Sequence, residues 1–175
     1  MDLTTRCNDV LTAWAITVHA GYRGNVPRSY LRSIPQRAQF LLSRMERTVM
    51  DDEDYNGLLV PPSLLSYNSV LQAWAYSYEH LRAASAQNIF DKLMSKKVGT
   101  AYGNIRPDGE SYRYIVWAWA LSRERRAAFI ATGHLIKMLR RLELGFDDDA
   151  LYEGAAIEPS LDDYNIVARA WIRSE

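Results

Sequence analysis

Three asparagines and one arginine hold the same place in four related stretches of this chain: Asn8, Asn68, Arg113 and Asn165. A carboxamide offers both a donor and an acceptor, so it can match the Watson–Crick edge of a base. Asn is also a mediocre helix former, so its return at three of four equivalent sites needs a reason. Part of that reason is local, because Asn in a first helical turn can bond backbone amides. Other chemistry finds no support. His19, His80 and His134 are isolated, with no His or Cys at metal-ligand spacing, and read as surface or partly buried residues. Asp52, Asp54, Asn56 and Gly57 imitate the start of a calcium loop. Its closing Glu would fall at Ser63 and Pro61-Pro62 interrupts the path, so the loop is rejected. There is no glycine-rich phosphate loop, nucleophile elbow or pair of catalytic carboxylates, and neither an enzyme nor a cofactor is expected.

The elements that must position these residues are written four times. Residues 7–17 read CNDVLTAWAIT, residues 67–77 YNSVLQAWAYS, residues 112–122 YRYIVWAWALS and residues 164–174 YNIVARAWIRS. Trp14, Trp74, Trp119 and Trp171 are each preceded by Ala. Within the second copy Tyr67, Val70, Leu71, Trp74 and Ala75 fall at helical spacing with no Pro or Gly. A second amphipathic helix is expected in each unit, carrying Ala38, Leu41, Leu42 and Met45, then Ala86, Ile89, Phe90 and Leu93, then Thr132, Leu135, Ile136 and Leu139. Gly21–Pro27 reads as the loop between the first two helices. Linkers over about Asp51–Ser63, Val98–Asp108 and Leu144–Ser160 end in Pro62-Ser63, Pro107-Asp108 and Pro159-Ser160. Ser and Asp are good helix N-caps, and Ser160 with Asp163 resembles a capping box. A tandem unit buries its apolar face only on a copy of itself, which predicts an all-α right-handed solenoid of helix-turn-helix repeats. The repeats span 4–63, 64–108 and 109–160, and 161–175 is the first helix of a fourth. The Trp stripe is expected in the core, where flanking alanines let helices approach.

Composition sets outer limits. The chain has 175 residues, and its 21 Lys and Arg equal its 21 Asp and Glu. The sum is neutral but the distribution is not. Six arginines and one acid, Glu46, lie between Arg23 and Arg47; six Lys or Arg and one acid, Glu124, lie between Arg123 and Arg141. The acids gather in linkers, at Asp51–Asp54 and Asp147–Asp149. This is either a solvated helix face with acidic loops or a strip that attracts phosphate. Cys7 is the only cysteine, which suits a reducing compartment. No run approaches the roughly 18 apolar residues of a membrane span. The repeat-like helix is expected within a few residues of Met1, without a signal or transit segment, so both ends are read as cuts through an array. The last helix is expected to leave Val167, Ala170 and Trp171 without a partner, so the chain should fray over 162–175 or self-associate.

The order Tyr-Asn-x-x-Leu-x-Ala-Trp-Ala, then Ala-x-x-Ile-Phe-x-x-Leu, then Pro-Asp resembles the pentatricopeptide repeat. It is clearest over Leu64–Asp108, with Tyr67, Asn68, Ala86, Phe90, Leu93, Pro107 and Asp108 in family order. The units are long: Asn8 to Asn68 is 60 residues, Asn68 to Arg113 is 45 and Arg113 to Asn165 is 52, against about 35 in the family. The resemblance implies single-stranded RNA as partner, about one base per repeat. It implies a role in RNA processing, stability or translation in a mitochondrion or chloroplast. A protein-interaction scaffold is the alternative. The reading pairs it implies are Asn8 with Ser63, Asn68 with Asp108, and Arg113 with Ser160, with Asn165 opening a fourth. Asn68 with Asp108 resembles a pair that favours uracil, and Asn8 with Ser63 a weaker pyrimidine pair. Arg113 departs from the pattern and is expected to contact RNA without reading it. Leu65 matches the residue that sandwiches a base, whereas Glu110 and Asp162 stand there in later copies. The family often has a phosphate-facing Lys where this chain has Ile16, Tyr76, Leu121 and Arg173.

Overall fold

The computed structural model describes residues 2–50, 60–95, 105–143 and 158–174. Among them are seven α-helices and no strand: α1 Leu3–Tyr22, α2 Ile34–Met50, α3 Leu64–Ala75, α4 Arg82–Ser95, α5 Gly109–Ala120, α6 Ala127–Glu143 and α7 Leu161–Ser174. The four sequence copies are α1, α3, α5 and α7. The rejected calcium loop, the two acidic runs and most of each linker lie outside the described residues. No described helix is long and apolar enough to cross a membrane.

Each helix of a copy packs on the next copy, α1 on α3, α3 on α5 and α5 on α7. Between them α2, α4 and α6 each pack on the copy before and the copy after. One side-chain bond recurs in this arrangement. The indole N–H of Trp74 donates to Gln39 Oε1 at 2.9 Å, that of Trp119 to Gln87 Oε1 at 2.8 Å, and that of Trp171 to Thr132 Oγ1 at 2.9 Å. Gln39, Gln87 and Thr132 each follow the first Ala of a buried stripe. The tryptophans are core residues in α3 and α5, as expected, whereas Trp14 is only partly buried and Trp171 is exposed, because α1 and α7 each pack on one side only. Burying a Trp leaves its N–H in need of an acceptor, and a fixed acceptor on the preceding helix fixes the helix register too.

Three expectations need correction. The stripe of α6 is Ala131, His134, Leu135 and Met138, one residue earlier than Thr132, Leu135, Ile136 and Leu139. The spacing is the same, but His134 hides the pattern from a reading of aliphatic residues. Thr132 instead faces α7 to meet Trp171, and Ile136 is exposed. The loop after α1 starts at Arg23, because the helix continues through Gly21. A Cβ at Gly21 would lie 2.1 Å from Leu31, so the glycine admits that side chain against the helix. Gly24 carries the positive φ of 87° that makes the turn. Lastly, Val167 and Ala170 are buried against α5 and α6. The open face of α7 is formed by Leu161, Tyr164, Trp171 and Ile172, since a helix packed on one side exposes its other side.

His134 is buried, packs edge-on against Phe90 and lies 3.0 Å from Gln87 Oε1 through Nε2. Gln87 Oε1 can only accept, so Nε2 carries the proton and Nδ1 is left without a partner. Burial pushes the imidazole down to about 4, with Lys137 adding to the shift. The unfolded chain therefore takes up a proton before the folded chain does. Stability is full above about pH 6.5 and falls as the pH drops toward 4. Urea denaturation should show about 2 kcal/mol less stability at pH 5 than at pH 7. A His134→Leu variant should lose most of that difference.

Candidate nucleic-acid interface

The first helices begin at one edge of the molecule. Each begins with a cap, because its first amides have no carbonyl partners within the helix. Ser63 caps α3 with Ser66 in a reciprocal box, and Asp108 caps α5 with Ser111 in the same way. Ser160 and Asp163 do this for α7: Ser160 N–H reaches Asp163 Oδ2 at 2.8 Å, and Asp163 N–H reaches Ser160 Oγ at 3.3 Å. The repeated signal is a polar residue just before the tyrosine position and another three residues earlier. Sequence reasoning finds the caps and Asp163 but misses Ser66 and Ser111.

The candidate readers meet these caps. Asn8 donates from Nδ2 to Ser63 Oγ at 3.2 Å and accepts from Ser66 Oγ at 2.5 Å. Asn68 donates from Nδ2 to Asp108 Oδ1 at 3.0 Å and accepts from Ser111 Oγ at 2.6 Å. The two junctions are chemically alike: one carboxamide closes a hydrogen-bonded ring with the capping box of the next helix. Thus Asn8 and Ser63 are brought together, and so are Asn68 and Asp108. Each asparagine is half-buried and keeps one amide hydrogen and one carbonyl lone pair beyond these bonds. Asp108 meets Asn68, Ser111 N–H and Ser111 Oγ all through Oδ1. Leu65 is exposed beside this row. Asn165 is exposed on the open side of α7.

The third junction has the same place but different chemistry. Arg113 Nε donates to Asp163 Oδ2 at 3.1 Å, and its Nη1 to Glu110 Oε1 at 2.6 Å. A third bond reaches the Glu158 carbonyl at 3.4 Å. Ser160 does not touch Arg113 directly; both bind Asp163 Oδ2, Ser160 Oγ at 2.9 Å. The guanidinium is therefore enclosed by protein acceptors. Asp163 is only 1% exposed. Trp117, which sequence reasoning does not single out, donates its indole N–H to Asp163 Oδ1 at 2.6 Å. Burial acts to raise the Asp163 carboxyl, but bonds from Trp117 and Ser160 and the charge of Arg113 hold it below its ordinary value. Burial acts to lower Arg113, and Asp163 and Glu110 outweigh it and raise the guanidinium.

The face between the two edges is aromatic. His19 and Tyr22 of α1, Tyr76 after α3, and Tyr114 and Trp117 of α5 form one cluster, with His19 stacked on Tyr76 at 4.4 Å and Tyr76 5.4 Å from Trp117. Burial pushes the Tyr76 hydroxyl up to about 12, helped by Asp163 and Glu110. Burial and a bond to Glu110 push Tyr114 up as well. Of the positions where a phosphate-facing Lys was sought, Ile16 is exposed, Tyr76 is buried in this cluster and Leu121 is half-buried. Arg173 donates to the Ala120 carbonyl at the end of α5. Among the described residues no three His, Cys, Asp or Glu side chains converge as a metal site requires.

Neither protein-family models, nor curated proteins, nor solved structures give a match to this chain. The reading of the site therefore rests on its own geometry. The two kinds of junction should differ in stability. Arg113→Ala leaves a buried carboxylate without its cation and should cost about 3 kcal/mol or more. Asn68→Ala leaves Ser111 bonded to Asp108, so it should cost about 1 kcal/mol. Chemical denaturation of the two variants against the parent measures both.

Proposed function

We propose that the chain is a right-handed pentatricopeptide-type solenoid that binds single-stranded RNA along the junction row. One observation carries this reading. Residues paired through the resemblance alone, 55 and 40 positions apart, are in hydrogen-bond contact at successive junctions. The recurring Trp bonds to Gln39, Gln87 and Thr132 support the repeat architecture. At the second junction the spare N–H of Asn68 and the spare oxygen of Asp108 offer a donor beside an acceptor. Uracil presents a carbonyl beside an N–H, so one base edge could engage both. Three of the five Arg113 N–H groups are held by Asp163, Glu110 and Glu158, and a guanidinium has no acceptor to set beside a donor, so the third junction lacks the matched pair that reads a base. An organellar role in RNA processing, stability or translation follows from the resemblance.

A second reading, a protein-interaction scaffold, is favoured by the phosphate positions. Ile16, Tyr76 and Leu121 bring no cation there, and Glu110 adds an acid beside the third junction. Binding of the full chain to short uracil, cytosine, adenine and guanine oligomers over a salt series separates the two. The RNA reading expects uracil preference at one register. Asn68→Ala should weaken binding by about 1–3 kcal/mol for oligomers with uracil there and little for others. Asn68→Thr should shift the preference toward guanine, as the resemblance implies. No binding of any oligomer at low salt hands the case to the scaffold.

A further inference from the structure

The turns that join α1 to α2, α3 to α4 and α5 to α6 lie at the edge opposite the junction row. They are about 18 Å away along a 12-residue helix. This edge is basic. Arg28 and Arg32 stand in the first turn, His80 and Arg82 at the second, and Arg123, Arg125 and Arg126 in the third, with Glu79 and Glu124 as the acids among them. The ion pairs among the described residues join Glu46, Glu110 and Asp163 to Lys92 and Arg113, and none includes an arginine of this edge. Arg123 and Arg173 lie close enough to Arg82 to add to the lowering that its burial causes.

Helix-end electrostatics account for only part of this charge. A cation is favourable at a helix C-terminus, and Arg173 on the Ala120 carbonyl is such a case. Arg28 and Arg32, however, precede α2, Arg82 opens α4, and Arg125 and Arg126 precede α6. These are the positive ends of those helices, and none of the three has an acid in its first turn. At these starts fixed charge and helix dipole have the same sign, which the C-terminal ends of α1, α3 and α5 in the same turns offset only in part, so an anion is favourable there.

An exposed aromatic residue lies in or beside each turn: Tyr30 is 73% exposed, Tyr78 38% and Phe129, in the first turn of α6, 70%. The Arg28 guanidinium lies 4.1 Å above the Tyr78 ring. A cleft of about 430 Å³ opens between the first two turns, walled by Arg28, Leu31, Arg32, Tyr78, Glu79 and His80, so two arginines face one acid there. Arginines interleaved with exposed rings match a phosphate track with stacking platforms for bases, a combination that single-stranded nucleic acid uses without sequence preference. An anionic peptide or bilayer would use the charge but has no flat bases for the rings.

We propose that this turn edge is a second RNA-contacting surface, holding phosphates through its arginines and stacking bases on Tyr30 and Phe129. It rests on the RNA reading above, yet it uses different residues and can fail separately. The test is binding of the full chain to a fluorescent 12-nucleotide uracil oligomer and a mixed-sequence one, from about 20 to 200 mM salt. Arg125→Gln with Arg126→Gln should flatten the slope of log affinity against log salt by about 1.4, near 0.7 for each phosphate no longer neutralised. Base preference should be unchanged, and Arg125→Lys with Arg126→Lys should restore the slope. Phe129→Ala, at an exposed site where folding is little affected, should weaken both oligomers by about tenfold. If the chain binds RNA with uracil preference and neither the Gln pair nor Phe129→Ala changes binding, the turn edge is overturned and the junction reading stands. Binding that depends on these residues but shows no base preference supports the turn edge and removes the junction reading. Preference for phosphatidylserine vesicles over RNA, or no RNA bound at 20 mM salt, overturns the proposal.

Discussion

The first helices α3, α5 and α7 begin with amides that have no carbonyl to meet, and the capping box at each start is itself bound by the first helix before it. At the first two junctions that partner is a carboxamide, whose donor and acceptor both enter the ring. At the third it is a guanidinium on a buried carboxylate. Hydrogen bonding is directional, so a box and its partner align only at one axial offset between neighbouring first helices. The Trp bond of α3, α5 and α7 fixes the contact of each with the second helix before it. With a cap partner at one end and a Trp acceptor farther along, the stacking of one unit on the next has little freedom to slide.

The change from Asn to Arg at the third junction alters more than charge. Asn8 and Asn68 keep unused hydrogen-bonding capacity at a half-buried edge, so the same side chains that set the stack could also meet a ligand. Arg113 places three of its five N–H groups on two carboxylates and a carbonyl, and Asp163 is closed off further by Trp117. The third junction therefore gains electrostatic strength and loses the donor-and-acceptor pairing of the carboxamide. A group that completes a buried polar network is poorly placed to leave it for a base.

Neutral net charge conceals a dipolar molecule. Acids collect where the first helices begin, at Asp108, Glu110, Glu158, Asp162 and Asp163. Arginines collect where they end and turn back. Parallel first helices place all their N-termini at one edge, so acids there complement the dipoles. At the turn edge the second helices start, and arginines beside those starts oppose them. The acids of the junction edge lie at helix starts they complement, whereas the turn-edge arginines outnumber the acids Glu79 and Glu124 among them. That asymmetry is the main reason to look for a polyanion at the turn edge.

Much of this was legible before any coordinates. The fourfold motif gave the number of helices, and the apolar spacing in the first two units gave the buried faces of α2 and α4. Pro-Ser and Pro-Asp located the caps, because capping depends only on residues three apart in sequence. Other features depended on what lies across an interface. Nothing in the spacing of α6 shows that a histidine takes a core position, because its burial is made acceptable by Gln87, 47 residues away. Gly21 reads as a loop residue until Leu31 folds against it. The caps could be read locally, but that Asn8 and Asn68 bind the next cap could not, since contacts across 55 and 40 residues arise only when the helices stack. The sequence alone determined where helices begin and which residues repeat, since both are set by neighbours along the chain. Only the tertiary structure decided which repeated polar group is spent on the fold and which keeps capacity for a ligand, because that depends on the partners that stacking supplies.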